Sequence, residues 1–299
     1  MAEPLEVGEY RLLDKIAVGG MAEIFRAEPV AGGERLVLKR LLPQHRSDPR
    51  FVERFVGEAK LCVKLRHPNV VRTQKLFKKG LDYFMVQELV DGASLRAVLD
   101  RRRAAGAPLP LGATLQALSG LLSALDYLHR ARLGDEKVQI VHRDVGPANL
   151  LLSRAGEVKL TDFGVTEASL HPESKAEHGA LVGTPAYMSP EQVRGRPLDA
   201  RSDLFSAGSV LYECLAGRPP FEAEVEFELL QQVTEAAPPP LPPSTPAPLR
   251  AVVAKAMAAA PEARFQTAAE LRKSLLAAGQ AAGAAPDPAA LAAAVGEAG

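Results

Sequence analysis

The sequence predicts an α+β protein whose two halves differ in kind, and three observations carry that prediction. Residues from about 10 to 90 read as short apolar runs separated by turn residues, with one helical stripe among them. Residues 91 to about 278 carry helical periodicity again and again. Residues 279–299 are almost all Ala, Gly and Pro. Strands gathered first and helices after is the order of segregated α+β folds. The boundaries that follow are an N-terminal extension at 1–9, a small sheet-bearing part at 10–90 and a larger helical part at 91–278. The segment 279–299 reads as a loose, flexible tail, because its content of large apolar residues is low.

The elements justify themselves in chain order. Two glycines, Gly19 and Gly20, sit between two strand-like runs in the segment from Ile16 to Phe25. Such a turn is either a plain hairpin or a place where backbone N–H groups approach a bound group closely. A further strand, Arg35 to Lys39, ends in a lysine. The helix after it bears Phe51, Phe55, Ala59 and Cys62 on one stripe, and Glu58 lies on or beside that stripe. A carboxylate on an apolar face needs a partner, for which Lys39 is the nearest candidate upstream; otherwise it stays wet at the helix rim. Thr114 to Arg130 carries a leucine stripe. Ser202 to Ala216 is apolar nearly all round, with Ser202 as its expected N-cap and Gly217 as its stop. Ala236 to Pro248 reads as an extended loop between helices. Thr267 and Glu270 have capping-box spacing and open a helix from Ala268 to Ala278.

Composition excludes several function classes. Lys plus Arg number 36 and Asp plus Glu number 36, a formal balance of zero, which argues against a broad nucleic-acid binder. No apolar run has the length and flanks of a membrane span. The segment Met1 to Tyr10 is acidic and lacks the apolar core of a signal peptide. Two distant cysteines, Cys62 and Cys214, give neither a disulfide framework nor metal-ligand spacing, and a cytoplasmic location is expected.

The chemistry gathers around a hairpin. His142, Arg143 and Asp144 precede a tight loop through Gly146 and Pro147 to Asn149. If 150–153 pairs with 157–161, Asn149 enters and Asp162 leaves at the same open end. An amide oxygen and a carboxylate converging there suit Mg²⁺, a hard cation that prefers oxygen ligands. Asp144 is then placed to orient or deprotonate a hydroxyl. Asp and Asn also cap turns, but three such residues at these spacings behind a His-Arg pair exceed what capping needs.

These motifs together resemble those of the eukaryotic-type protein kinases, most of all the bacterial serine/threonine kinases. In order they are the glycine loop Ile16–Ile24, the strand ending at Lys39, Glu58, His142-Arg143-Asp144 with Asn149, Asp162-Phe163-Gly164, and Gly183-Thr184 through Tyr187 to Ser189-Pro190-Glu191. The resemblance runs from about Tyr10 to Leu276. It implies a bilobal kinase-like fold: a small N-lobe with a five-stranded antiparallel sheet and one main helix, Pro49 to Leu65, and a larger, mostly helical C-lobe, with ATP in the cleft between them.

The resemblance also implies roles. Gly19 and Gly20, with Ala17, would lie over the ATP phosphates, and Lys39, paired with Glu58, would hold the α- and β-phosphates. Asp144 would accept the proton of the substrate hydroxyl, and Asn149 and Asp162 would hold Mg²⁺. Glu88 to Val90 would be the hinge that bonds adenine through backbone groups, behind the gatekeeper Gln87. Ile16, Ile24, Val37 and Leu151 would wall the adenine slot. Glu191 would pair with Arg264, and Asp203 would tie the long buried helix to the catalytic loop. The implied activity is ATP- and Mg²⁺-dependent transfer of the γ-phosphate to Ser/Thr hydroxyls of proteins, autophosphorylation included. With no sensor or anchor segment in view, a regulatory partner protein is expected, and neither nucleic acid nor membrane.

Four departures qualify the resemblance. Ala17 and Ala22 replace two glycines of the loop, which is tolerable if φ stays negative at both. Gly146 stands where a lysine usually touches the transferred phosphate. Ala180 occupies the usual activating phosphorylation position, so activation independent of phosphate there is expected, with Arg143 met by Glu173 or Glu177 or by nothing. Val37 replaces a usual alanine and narrows the adenine slot. The rival reading is a pseudokinase that binds nucleotide and serves a partner as scaffold. A small-molecule kinase disagrees with the segment from Gly183 to Glu191, and a dinucleotide-binding oxidoreductase with a glycine turn that leads into a strand rather than a helix.

Overall fold

The computed structural model describes residues 5–133, 136–137, 139–163 and 183–297. The described residues form two compact units, one of residues 5–89 and one of 90–163 with 183–297.

The first unit is a curled antiparallel sheet with one helix. Its strands are β1 (Glu6–Val7), β2 (Tyr10–Val18), β3 (Ala22–Pro29) and β4 (Leu36–Leu41), followed by helix α1 (Pro49–Cys62), β5 (Thr73–Lys79) and β6 (Asp82–Glu88). The sheet order is β1-β2-β3-β4-β6-β5. Alternation along the strands divides their side chains between two faces. One face gathers Tyr10, Leu12, Ala27, Leu36, Leu38, Phe84 and Val86. The other puts Ala22, Leu41 and Met85 against Phe55 and Ala59 of α1. Each fully buried large side chain of this kind contributes about 1.5–3 kcal/mol.

Three expectations need correction here. The sheet has six strands rather than five, because Glu6–Val7 pairs with β2. Val7 is buried in the core, so residues 5–9 are not merely an extension. Helix α1 ends at Cys62, three residues before the expected Leu65, and opens where Asp48 accepts a hydrogen bond from the Arg50 N–H at 3.0 Å, with Pro49 at its first position.

The second unit starts with β7 (Gly92–Ser94), α2 (Leu95–Ala104) and α3 (Leu111–His129). Helix α3 begins three residues before the predicted Thr114, directly after Pro110, and buries its leucine stripe. The polar segment 130–139 contains a small hairpin of β8 (Arg132–Leu133) and β9 (Glu136–Lys137). Then come β10 (Leu150–Ser153) and β11 (Val158–Leu160), which with β7 form a sheet in the order β11-β10-β7. The helices α4 (Pro190–Val193), α5 (Ala200–Ala216), α6 (Glu226–Glu235), α7 (Ala247–Ala256), α8 (Ala268–Ala281) and α9 (Pro288–Gly296) complete the unit.

Helix α5 is buried on nearly all sides, as its composition predicts, but its N-cap is Asp199 rather than Ser202. Ser202 is spent elsewhere: its hydroxyl donates to Glu191 at 2.7 Å. Thr267 caps α8 by accepting from the Glu270 N–H at 3.1 Å, while Glu270 reaches back to the N–H of Gln266 rather than Thr267. The largest correction is the tail. Asp287 and Pro288 start a helix, and Leu291 and Val295, one turn apart, bury themselves against the unit. Alanine is the best helix former, so a short cap-plus-alanine segment needs only those two anchors to settle.

Candidate active site

In the first unit, Lys39 lies in the middle of β4 rather than at its end, and its Nζ donates to Glu58 Oε1 at 3.1 Å. Both side chains are buried, so the ammonium and the carboxylate meet away from bulk water. Glu58 is therefore not at the helix rim. Ile24 is the direct cross-strand partner of Lys39, and Val37 lies two residues away on the same face. Ile24 and Val37 are half-buried, whereas Ile16 and Ala17 are exposed. Gly19 closes the β2–β3 turn by donating its N–H to Ala22 O at 2.8 Å, and a side chain at Gly20 would meet nothing within 4 Å. Neither Ala17 nor Ala22 adopts a positive φ, and Ala22 adds its methyl to the core beside Phe55. The alanines thus fit where glycines are usual. Gln87 is buried and donates to Thr73 Oγ1 at 3.3 Å. Glu88 ends β6; its N–H donates to Arg72 O, and its carboxylate accepts from the Arg72 N–H at 2.7 Å.

In the second unit, Leu150 pairs with Leu160, and the Thr161 N–H donates to Asn149 O at 3.0 Å. Asn149 and Asp162 therefore flank the open end of one hairpin. Leu151 is half-buried in β10, opposite Ser94 of β7. Val90, the first residue of this unit, is half-buried. The Asn149 Nδ2 amide donates to Asp144 O at 2.8 Å and to Asp144 Oδ2 at 2.9 Å. That leaves Oδ1 as the atom Asn149 could offer a cation, and an amide oxygen and a carboxylate such as that of Asp162 are the hard donors that Mg²⁺ prefers.

Asp144 is held from a second side. The Thr184 N–H donates to Asp144 Oδ1 at 3.0 Å, and the Thr184 hydroxyl lies 3.5 Å from the same atom. A carboxylate oxygen carries two acceptor positions, so Asp144 keeps capacity for one more proton donor.

The loop around Asp144 is fixed from beneath by Asp203 of α5, which is fully buried. Its Oδ2 accepts from the His142 N–H at 2.8 Å and its Oδ1 from the Arg143 N–H at 2.9 Å, while His129 Nε2 lies 2.7 Å from Oδ2. Burial pushes the Asp203 carboxyl up, but the bond from His129 and the charges and bonds around His142 outweigh it and hold the group below its ordinary value. His142 accepts the Asp144 N–H at Nδ1, so its hydrogen sits on Nε2 and is donated to Thr161 O at 3.1 Å. Its ring also packs on Phe163, with centroids 5.1 Å apart. One imidazole thus joins the Asp144 loop to the strand that delivers Asp162.

Strain concentrates in the same place. Among the described residues only Arg143, Asp162 and Ala236 are non-glycines with positive φ, and two of these flank the site at +67° and +56°. Such conformations cost about 1–3 kcal/mol each and persist where surrounding bonds over-determine them. Burial lowers the pKa of the Arg143 guanidinium. Glu191 receives a bidentate bond from Arg264 at 2.6 and 2.8 Å. Burial raises the Glu191 carboxyl, while Arg264 and then Ser202 pull it below its ordinary value.

Sequence reasoning missed one cluster. Glu213 of α5 is fully buried and accepts from Arg96 at 2.5 Å, from Arg103 at 3.0 Å and from the Tyr187 hydroxyl at 2.5 Å. Arg96 also donates to Tyr187 Oη at 2.8 Å. The available signal was Glu213 itself, a second carboxylate besides Asp203 in a helix that is otherwise largely apolar. Gly164, Ala180, Glu173 and Glu177, with the rest of 164–182, lie outside the described residues.

Comparison with known proteins agrees with this geometry. Residues 10–276 match the family model of the protein kinase domain. The chain is 38% identical over 285 residues to a probable serine/threonine-protein kinase of Streptomyces coelicolor, covering 91% of this chain and 40% of that protein. It is 39% identical over 274 residues to the tyrosine-protein kinase MasK of Myxococcus xanthus, covering 87% and 41%. Against the serine/threonine-protein kinase PknB of Mycobacterium leprae it is 36% identical over 276 residues, covering 89% and 42%. The chain spans about two-fifths of the length of these relatives. With a model match over most of its length and the motif residues folded into one hairpin, one loop and one buried ion pair, the chain belongs to the protein kinase domain family.

Proposed function

We propose that the chain is an active protein kinase that transfers the γ-phosphate of ATP to serine and threonine hydroxyls of proteins, itself included. The observation that supports this most is Asp144, gripped by Asn149 at Oδ2 and by Thr184 at Oδ1. In the reaction the substrate oxygen bonds to the γ-phosphorus, the bond from that phosphorus to the β–γ bridging oxygen breaks, and ADP leaves. Asp144 orients the hydroxyl and takes its proton. Lys39, steadied by Glu58, holds the α- and β-phosphates, and the turn at Gly19 and Gly20, with Ala17, covers them. Glu88 and Val90 bond adenine through their backbones, and Ile16, Ile24, Val37 and Leu151 enclose its ring. Asn149 and Asp162 would hold Mg²⁺, which would neutralise charge on the phosphates.

The acceptor class rests on Thr184 beside Asp144 and on the serine/threonine kinases among the relatives, and the tyrosine kinase among them makes it worth measuring. Among the described residues no helix is long and apolar enough to cross a membrane. Two buried thiols, Cys62 and Cys214, fit a reducing cytoplasmic setting.

The test is transfer from labelled ATP with Mg²⁺ to the protein itself and to a generic basic protein, followed by phosphoamino-acid analysis. Label on serine and threonine, lost in Asp144→Asn, is expected. Label on tyrosine alone overturns the acceptor class. No label from folded protein overturns the activity and favours a nucleotide-binding scaffold.

A further inference from the structure

Helix α9 lies beyond residue 276, where the kinase-domain match ends, yet it is docked on the part of the second unit that carries Asn149 and Asp162. Leu291, Ala294 and Val295 are buried, and the helix packs on α3, β10 and β7. Its start is fixed at several points. The Asp287 side chain accepts from the Ala290 N–H at 2.9 Å, while the Asp287 N–H donates to Gly112 O of α3 at 3.0 Å. Its far end carries an exposed ion pair, Glu297 with Arg102 of α2 at 2.9 Å.

The contact with the hairpin is the closest. Gly156 sits in the β10–β11 turn with φ +80°, and a Cβ there would lie 2.2 Å from Pro288 O. Only glycine meets both the left-handed backbone and that approach. Gln116 of α3 donates to Gly156 O at 3.2 Å, so α3 and α9 hold the turn from two sides. The hairpin is short: three residue pairs separate this turn from the end that carries Asn149 and Asp162. A rigid, short ladder transmits a displacement at its closed end to its open end.

We infer that α9 is a brace for this hairpin and that Pro288 and Leu291 are positioning residues for the Mg²⁺-holding pair Asn149 and Asp162. The inference rests on the reading that this pair holds the metal. Neither residue touches the reacting atoms; they act through Gly156 and β10. Anything that lifts α9 would therefore loosen the metal-holding end first, and would reach Asp144 only through its bonds from Asn149.

The test uses the full chain and two readouts. Leu291→Asp unseats α9, Leu291→Ala leaves a cavity in case the first variant does not fold, and Leu291→Met restores the volume. Amide hydrogen exchange is followed over 287–297 and over 150–161. Faster exchange in both segments for the Asp and Ala variants, with rescue by Met, is expected. The Mg²⁺ concentration for half-maximal transfer should rise by roughly tenfold while KM for a short peptide acceptor stays unchanged, as for the loss of a residue supporting a metal ligand. Exchange that rises over 287–297 and stays at the wild-type rate over 150–161 overturns the brace. Coupled exchange in a protein that transfers no phosphate upholds the brace and removes the kinase reading instead.

Discussion

Tyr187 donates its hydroxyl hydrogen to Oε2 of Glu213 at 2.5 Å, across 26 residues of sequence. Burial, and then the neighbouring carboxylate, push the Tyr187 phenol far above its ordinary range, which keeps it protonated as the donor in this bond. Tyr187 lies three residues after Thr184, so this bond anchors the segment that touches Asp144. Tyr187→Phe takes one donor from a fully buried carboxylate and should cost about 1–3 kcal/mol. Thermal unfolding should report it as a drop of about 2–4 °C for each kcal/mol. Transfer should fall as well, because the Thr184 N–H loses its anchor, and an unchanged kcat in the folded variant would show that Thr184 is held without Tyr187.

The Glu213 cluster also marks how far the sequence can be read. The hairpin at 150–161 is legible because its two strands are adjacent and one turn joins them. The partners of Glu213 come from α2 and from 183–187, about 110 and 26 residues away, and no local pattern announces that they meet. The Lys39–Glu58 pair sits between these extremes: helical spacing puts Glu58 on the buried face, but only the sheet shows that β4 delivers the lysine to it. The extra strand at Glu6–Val7 is too short to show periodicity. In the tail, alanine hides a helix from any search for a large apolar stripe, although Asp287-Pro288 and the Leu291–Val295 pair were visible start and anchor signals.

Acid should unfold the second unit through Asp203 and Glu191. Both carboxyls are held below their ordinary values of 3.8 and 4.5 in the folded protein. A depressed folded value stabilises the native state fully above the unfolded value and loses that contribution as pH falls through the folded one. Stability should therefore be flat from neutrality to about pH 5 and fall below about pH 4.5. Asp203→Asn should lower stability at pH 7, because the His142 and Arg143 N–H groups lose carboxylate acceptors, and should flatten the acid limb. Denaturant midpoints measured at several pH values give both quantities. An acid limb identical to the wild type would show that Asp203 is not among the groups protonated on unfolding.

The buried Lys39–Glu58 pair should matter to both rate and folding, even when changed conservatively. Glu58→Gln keeps the shape and a hydrogen-bonding side chain but removes the charge that aims the Lys39 ammonium. A misplacement of about 1 Å at a reacting group can cost up to about 100-fold in rate. We expect transfer to fall by roughly 10- to 100-fold on that ground, and the unfolding midpoint to fall as well, because the buried Lys39 ammonium loses its counter-charge. Lys39→Met should reduce transfer at least as far. Wild-type transfer in Glu58→Gln would remove the pair from the catalytic account.

Gly146 supplies a gain-of-function test. It stands between Asp144 and Asn149 with φ −163° and ψ 168°, an extended backbone that any residue adopts. A Cβ built on it would meet the Tyr187 ring at 3.6 Å, an ordinary contact. The backbone and the Cβ of a lysine are therefore accommodated at this position. An electrostatic contact to charge that develops in the transition state is worth about 2.7–4 kcal/mol at other sites. Gly146→Lys should accordingly raise kcat by at least roughly tenfold, with less effect on KM for ATP, because the new charge acts mainly on the transferring group. Steady-state kinetics of the single variant decides it. An unchanged kcat would mean that one of the chain's own Lys or Arg residues already serves the phosphate, and each arginine near 183–196 could then be neutralised in turn to find it.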